Sequence, residues 1–119
     1  MAGKRRIVVN DIGEVSVVRF IDRKIVDSAN IEEMGEELFS VVEKDKRRFI
    51  LLNFEGVEFL SSAALNKLIL LDRKAKAAGG KLKLCGLRAE IMEVFTITRL
   101  DKVFQIKKTE ADGIEAFGL

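Results

Sequence analysis

The run from Phe49 to Leu65 constrains the fold more than any other part of the chain. The four residues Phe49-Ile50-Leu51-Leu52 are all apolar, as in a central strand of a parallel sheet that is buried on both faces. After Ser61 the apolar residues are three or four positions apart, which predicts a helix with Leu65, Leu68, Leu71, Ala75 and Ala78 on one face. A strand that passes into a helix in this way predicts an α/β fold.

Strand-like and helix-like segments alternate over the rest of the chain as well. Two β-prone runs, at 7–9 and 15–21, flank a turn and predict a hairpin. Helical spacing starts at Asn30, with Ser28 or Asn30 as the cap, and the predicted inward positions are Ile31, Met34, Leu38 and Val41. The later segments are a half-exposed strand at 81–85, a helix at 90–97 with Ile91, Val94 and Phe95 inward, a strand at 103–106 and a helix at 110–117. The order ββαβαβαβα predicts a mixed, mainly parallel sheet with helices packed against it, in a single domain over residues 1–119.

The residue types that the chain lacks exclude several kinds of chemistry. Its 119 residues include no histidine and one cysteine, which excludes histidine-based triads, histidine-ligated zinc and an internal disulfide. No phosphate-binding glycine motif follows a predicted strand, and Gly79-Gly80-Lys81 follows a helix, where it predicts a helix stop. We therefore expect no metal and no cofactor. The net charge of +2 and the lack of a long apolar run predict a cytoplasmic protein without nucleic-acid or membrane partners.

Ser61 and Ser62, at the junction of strand and helix, are the strongest candidates for a functional site. A serine that caps a helix stabilises it by about 0.5–2 kcal/mol relative to alanine. A phosphoserine at the same place would set about −1.5 to −2 charges against the positive end of the helix dipole. Nucleophilic catalysis is not predicted, because only Lys67 or Lys74 could act as the base and neither has an S-x-x-K spacing. A structural cap and a phosphorylation switch both remain open, and the two are compatible.

Other reactive side chains have simpler interpretations. Glu55 and Glu58 precede Ser61, and Asp22 and Asp27 follow the second predicted strand. We interpret these carboxylates as solvated or partner-facing, because nothing in their spacing indicates a shared apolar pocket. Cys85 lies in an alternating strand and is predicted to be a small buried hydrophobe. The sequence thus predicts no catalytic residue.

Three segments together resemble the STAS domains of bacterial anti-sigma factor antagonists. They are Phe59-Leu60-Ser61-Ser62-Ala63-Ala64-Leu65, Ala78-Gly79-Gly80-Lys81-Leu82 and Phe95-Thr96-Ile97-Thr98-Arg99-Leu100. The resemblance implies a non-enzymatic domain that binds an anti-sigma factor, often a serine kinase, and so releases a sigma factor. It also implies that a phosphatase, of the PP2C type, reverses the phosphorylation.

The family signature D-S-[ST]-G assigns roles to particular residues by position. The resemblance implies Ser61 as the phosphoacceptor, with Ser62 as the second choice. It implies a partner-binding surface formed by Asp27, Ser28, Asn30, Leu60, Ser62 and Ala63. Leu60 replaces the aspartate of the signature and Ala63 replaces its glycine, so partner binding is better supported than phosphorylation.

Two other functions remain as alternatives. The first is a constitutive STAS scaffold or interaction domain, in which the serines only cap a helix. The second is a domain that binds a small ligand or nucleotide, which the missing glycine loop argues against.

Overall fold

A five-stranded sheet forms the centre of the fold in the computed structural model, which describes residues 5–119. The strands are β1 (Ile7–Ile12), β2 (Val15–Phe20), β3 (Lys24–Ile25), β4 (Phe49–Asn53), β5 (Phe59–Leu60), β6 (Lys81–Cys85) and β7 (Gln105–Lys107). The helices are α1 (Ser28–Glu43), α2 (Ser62–Ala77), α3 (Ala89–Ile97) and α4 (Glu110–Glu115), with a 3-10 turn at Leu100–Lys102. The predicted single domain also includes residues 1–4, which lie outside the described residues.

The central sheet is mixed and mainly parallel, as the sequence predicts. Its strand order is β1-β2-β4-β6-β7, and β1 is antiparallel to β2 while the other neighbours are parallel. β3 and β5 form a separate parallel pair. The sequence pattern does not predict this pair, because a two-residue strand contains no repeat and its pairing is set by residues distant in the chain.

The helices cover the two faces of the sheet unequally. α1, α2 and α3 pack on one face, over a core that includes Ile50, Leu52 and Leu84. The short α4 covers part of the other face, where Phe117 packs with Val15, Val17, Leu51 and Cys85. Gly113 permits this close contact, because a Cβ atom there would lie 2.7 Å from Leu51 Cδ1.

Most of the predicted core positions are buried. All four inward positions of α1 are buried, as are Leu65, Leu68, Leu71 and Ala75 of α2. Val94 was predicted to point inward, but its side chain is 37% exposed, and Ala78 is exposed at the end of α2. The last strand is at 105–107 instead of 103–106, and the last helix ends at 115. Both shifts occur in short elements, whose ends the sequence pattern defines poorly.

Candidate functional site at two helix N-termini

The pairing of β3 with β5 places the start of α1 next to the start of α2. Ile25 is paired with Leu60, and the backbone N–H of Ser61 donates a hydrogen bond of 3.1 Å to the Ile25 carbonyl. Both Ile25 and Leu60 are buried. Because α1 and α2 follow these two parallel strands closely, their N-termini lie side by side at the same end of the fold.

Each of the two helices begins at a side chain that accepts a backbone hydrogen bond. Ser61 Oγ accepts from the Ala64 N–H at 3.3 Å, so the predicted cap of α2 is confirmed. At α1 the prediction was wrong: the cap is Asp27, whose Oδ1 accepts from the Asn30 N–H at 3.1 Å. Asp27 has the extended backbone that a cap requires, whereas Ser28 is already the first helical residue.

The predicted site residues differ in exposure. Ser61 is half-buried, while Ser62 and Ala63 are exposed on the first turn of α2. Asp27 and Ser28 are exposed and Asn30 is half-buried at the start of α1. The structure therefore brings these residues together at one surface. Leu60 is the exception, because it is only 7% exposed and packs in the main core.

An apolar groove of about 120 Å³ lies beside Ser61, between β5, the start of α2 and α3. Its apolar lining consists of Phe59, Leu60, Leu65, Ile91, Val94 and Phe95, and its polar lining of Glu58 and Glu90. Phe59 is 52% exposed, although it is a large aromatic side chain in a strand. The sequence pattern does not predict this groove, because its two walls come from segments about thirty residues apart that only the tertiary structure joins.

Charged side chains around the site have partners that disfavour acid–base chemistry. Lys67 Nζ lies 3.0 Å from Glu32 Oε2, and Lys74 Nζ lies 3.1 Å from Glu43 Oε2. Both candidate bases are therefore paired with glutamates and are not directed at Ser61. Asp22 Oδ1 lies 3.3 Å from Arg6 Nη1, and Asp27 Oδ1 caps α1, so each carboxylate has a structural partner. Within residues 5–119, no group of three histidine, cysteine or acidic side chains is arranged to hold a metal ion. Among the described residues, neither lysine that the sequence offers as a base is placed to activate Ser61.

Comparison with known proteins identifies the family. A family model described as "STAS domain" matches residues 6–113. The chain belongs to the STAS domain family. The resemblance of the sequence to this family is therefore confirmed. No helix within the described part of this STAS domain is long and apolar enough to cross a membrane.

Relatives of this STAS domain carry names that concern anti-sigma factors. The Bordetella bronchiseptica protein named "Putative anti-sigma factor antagonist BtrV" is 31% identical over 93 residues, covering 78% of this chain and 79% of that protein. The solved structure of an anti-sigma-factor antagonist (STAS) domain protein from Planctomyces limnophilus has a TM-score of 0.81 at 23% identity, covering 92% and 95% of the two chains. The phosphorylated form of the Bacillus cell fate determinant SpoIIAA has a TM-score of 0.71 at 19% identity, covering 93% and 98%. The two structures support the fold, and the Bordetella protein supports the family.

Proposed function

We propose that this STAS domain is a non-enzymatic, cytoplasmic anti-sigma factor antagonist that binds its partner through the surface around Ser61. Binding of the anti-sigma factor releases a sigma factor by mass action. One observation carries the proposal: Ser61 caps α2 where two helix N-termini and an apolar groove adjoin. The name of the Bordetella relative points to the same function.

The chemistry of this surface suits a protein partner. Val26, directly after β3, and Phe59, in β5, are 48% and 52% exposed, and Val94, which also lines the groove, is 37% exposed. Exposed apolar side chains that lie together with polar ones around them are typical of interaction sites. Ser62 and Ala63 add a small, exposed first turn of α2 that a partner can approach closely. We therefore assign docking to the groove and the two helix starts together.

We further propose that reversible phosphorylation of Ser61 switches docking off. The anti-sigma factor would be the serine kinase, and a PP2C-type phosphatase would remove the phosphate. Phosphate at the start of α2 is compatible with the fold, because the helix dipole favours negative charge there. The added charge would follow directly on β5, which lines the groove, and would oppose an apolar or acidic partner surface docked there. SpoIIAA, which has the same fold, is known in a phosphorylated form.

Leu60 changes what a kinase could recognise next to Ser61. The family signature has an aspartate before the phosphoacceptor, whereas the Leu60 side chain is buried in the core. A kinase that acts on Ser61 would thus meet no carboxylate from the preceding residue. Recognition would depend on the exposed residues Ser62 and Ala63 and on the groove.

The switch can be tested with the anti-sigma factor of the same organism. We expect Ser61→Asp to weaken binding roughly tenfold or more, because it adds a charge to the docking surface, while Ser61→Ala retains binding. Isothermal titration calorimetry measures both affinities. Ala111→Asp is the matched control, since it adds the same charge at an exposed first turn of α4, on the other face of the sheet and away from the docking surface. Equal affinities for the Ser61→Asp and Ser61→Ala variants would contradict the switch.

The phosphoacceptor and the alternative function can be separated by mass. Incubation with the anti-sigma factor and ATP should add one phosphate to the wild-type protein and to Ser62→Ala, but none to Ser61→Ala. The alternative function is a constitutive scaffold domain. The one observation that favours it is the hydrogen bond from Ala64 N–H to Ser61 Oγ, which gives Ser61 a structural role without phosphorylation. That alternative predicts full partner binding and no phosphorylated form under any condition.

A further inference from the structure

The two edges of the central sheet differ in how they are protected from pairing with another strand. β7 has three residues and includes Lys107, so it is short and charged. β1 has six residues, its register with β2 is continuous, and its one charged residue is Asp11. Soluble proteins usually protect an edge strand with lysine, proline, a bulge or short length. β1 has no lysine, proline or bulge, and its single charge, on Asp11, is paired with Arg47.

Among residues 5–119, nothing pairs with the outer edge of β1 over its central part. Arg6 O accepts from Ile21 N–H, so by the alternation of an antiparallel pair the backbone groups of Val8, Asn10 and Ile12 face β2. Those of Val9 and Asp11 face outward. The carboxylate of Glu37 accepts from the Arg6 and Ile7 N–H groups at 2.8 and 3.4 Å, which covers only the beginning of the strand.

The side chains of β1 are symmetric about Asn10. Val8 and Ile12 lie two residues to either side of it and are 37% and 44% exposed, on the face of the sheet opposite α1, α2 and α3. An antiparallel pair of two β1 strands centred on Asn10 would set Val8 of each copy opposite Ile12 of the other. Val9 and Asp11 of the two copies would then exchange the backbone hydrogen bonds that are open in one copy.

We propose that β1 pairs with β1 of a second copy of this chain, antiparallel and with its two-fold axis at Asn10. The pairing continues the sheet from one copy into the other and covers the apolar side chains of Val8 and Ile12. A second copy is the occupant because the exposed pattern is self-complementary, as a two-fold interface requires. Ser61 follows β5, outside this sheet, so the dimer would present two docking surfaces independently of whether Ser61 is phosphorylated.

The first experiment measures mass against concentration by sedimentation equilibrium. The wild-type protein should approach twice the monomer mass. The double variant Val8→Lys with Ile12→Lys should raise the dimer dissociation constant by about tenfold or more, because it replaces both apolar cross-strand pairs with like charges. Val103→Lys is the matched control, since Val103 is also exposed, at 45%, and lies outside β1. A wild-type protein that stays monomeric, or a double variant that dimerises equally well, would overturn the proposal.

The second experiment tests the register directly by disulfide formation. In the proposed pair Asn10 faces its own copy at a non-hydrogen-bonded position, where Cα atoms lie about 4.5 Å apart and a disulfide fits. Mild oxidation should link Asn10→Cys into a dimer, whereas Val8→Cys should link only when it is mixed with Ile12→Cys. Cys85 is buried and serves as the internal control in every variant. If Val8→Cys alone linked to itself as readily as Asn10→Cys, this register would be wrong. Circular dichroism checks that each variant is folded.

Discussion

Two serines at opposite ends of the fold show how the same side chain serves different purposes. Ser16 lies near the hairpin turn of β1 and β2 and is 3% exposed. Its Oγ donates to Asp11 Oδ1 at 2.8 Å and accepts from Arg47 at 3.1 Å, and Arg47 also bonds Asp11 directly. Ser61 is half-buried, and its Oγ accepts one backbone N–H. Ser16 is therefore enclosed by charged partners, whereas Ser61 still has a hydroxyl group open to modification.

Burial and the type of hydrogen-bond partner distinguish a structural serine from a candidate switch. Removing a buried hydroxyl that bonds both a carboxylate and a guanidinium loses two hydrogen bonds to charged groups. The cluster of Ser16, Asp11 and Arg47 has no spare hydrogen bond to replace a lost one, because Arg47 Nε is buried and makes no hydrogen bond within residues 5–119. A cap at an open helix start can gain charge without such losses.

The largest effect on stability is expected from Ser16→Ala. It removes a buried hydroxyl that bonds both Asp11 and Arg47, which should lower the free energy of unfolding by about 1.5–3 kcal/mol, the range for hydrogen bonds to charged groups. Urea denaturation followed by circular dichroism measures the change. Ser62→Ala is the control, because Ser62 is exposed, and surface substitutions of this kind usually change stability by less than about 0.5 kcal/mol. If the two variants were equally stable, Ser16 would not be more important for stability than an exposed serine at the start of α2.

A smaller change in stability is expected at Ser61, and the order of the Ser61→Ala and Ser61→Asp variants is informative. Ser61→Ala removes the cap of α2 and should lower the free energy of unfolding by about 0.5–2 kcal/mol. Ser61→Asp should retain it, because aspartate is an equally good cap and favours the helix dipole. The order of stability would then be opposite to the expected order of partner affinity. A Ser61→Asp variant that is less stable than Ser61→Ala would show that the start of α2 does not tolerate negative charge.

The sequence predicted the parts of the fold whose burial follows a local period. Ile31, Met34, Leu38 and Val41 were placed correctly because one helix face repeats every three or four residues. The Ser61 cap was predicted for the same reason, since a cap depends on its own helix. Val94 was placed wrongly, because an apolar residue is not necessarily buried, and the burial of this one depends on how α3 meets β5.

The parts that sequence reasoning missed depend on contacts between distant segments. β3 and β5 exist because Lys24–Ile25 and Phe59–Leu60 pair across more than thirty residues. This pair places Asp27 near Ser61, and the groove is completed by α3. The cap at Asp27 was missed because Ser28 and Asn30 have equally suitable side chains, and only the backbone conformation distinguishes them.

The smallest expected effect concerns pH and Asp11. Its hydrogen bond from Arg47, with a second from Ser16, lowers the pKa of this carboxyl below its ordinary value of 3.8. A lowered pKa in the folded state means that the ionised carboxylate stabilises the fold above about pH 4, and that this contribution is lost as pH falls through the folded pKa. Stability measured from pH 7 to pH 2.5 should therefore decline more steeply for the wild-type protein than for Asp11→Asn.

The Ser61 end supplies the control for this pH experiment. Ser61→Ala removes an uncharged cap and should shift the stability curve by a constant amount at every pH, without changing its slope between pH 5 and 2.5. Ser16→Ala should reduce the slope partly, since Arg47 still bonds Asp11 in that variant. If Asp11→Asn and the wild-type protein showed parallel curves, the enclosed cluster would contribute no pH-dependent stability. The difference between the two serines would then depend on burial alone.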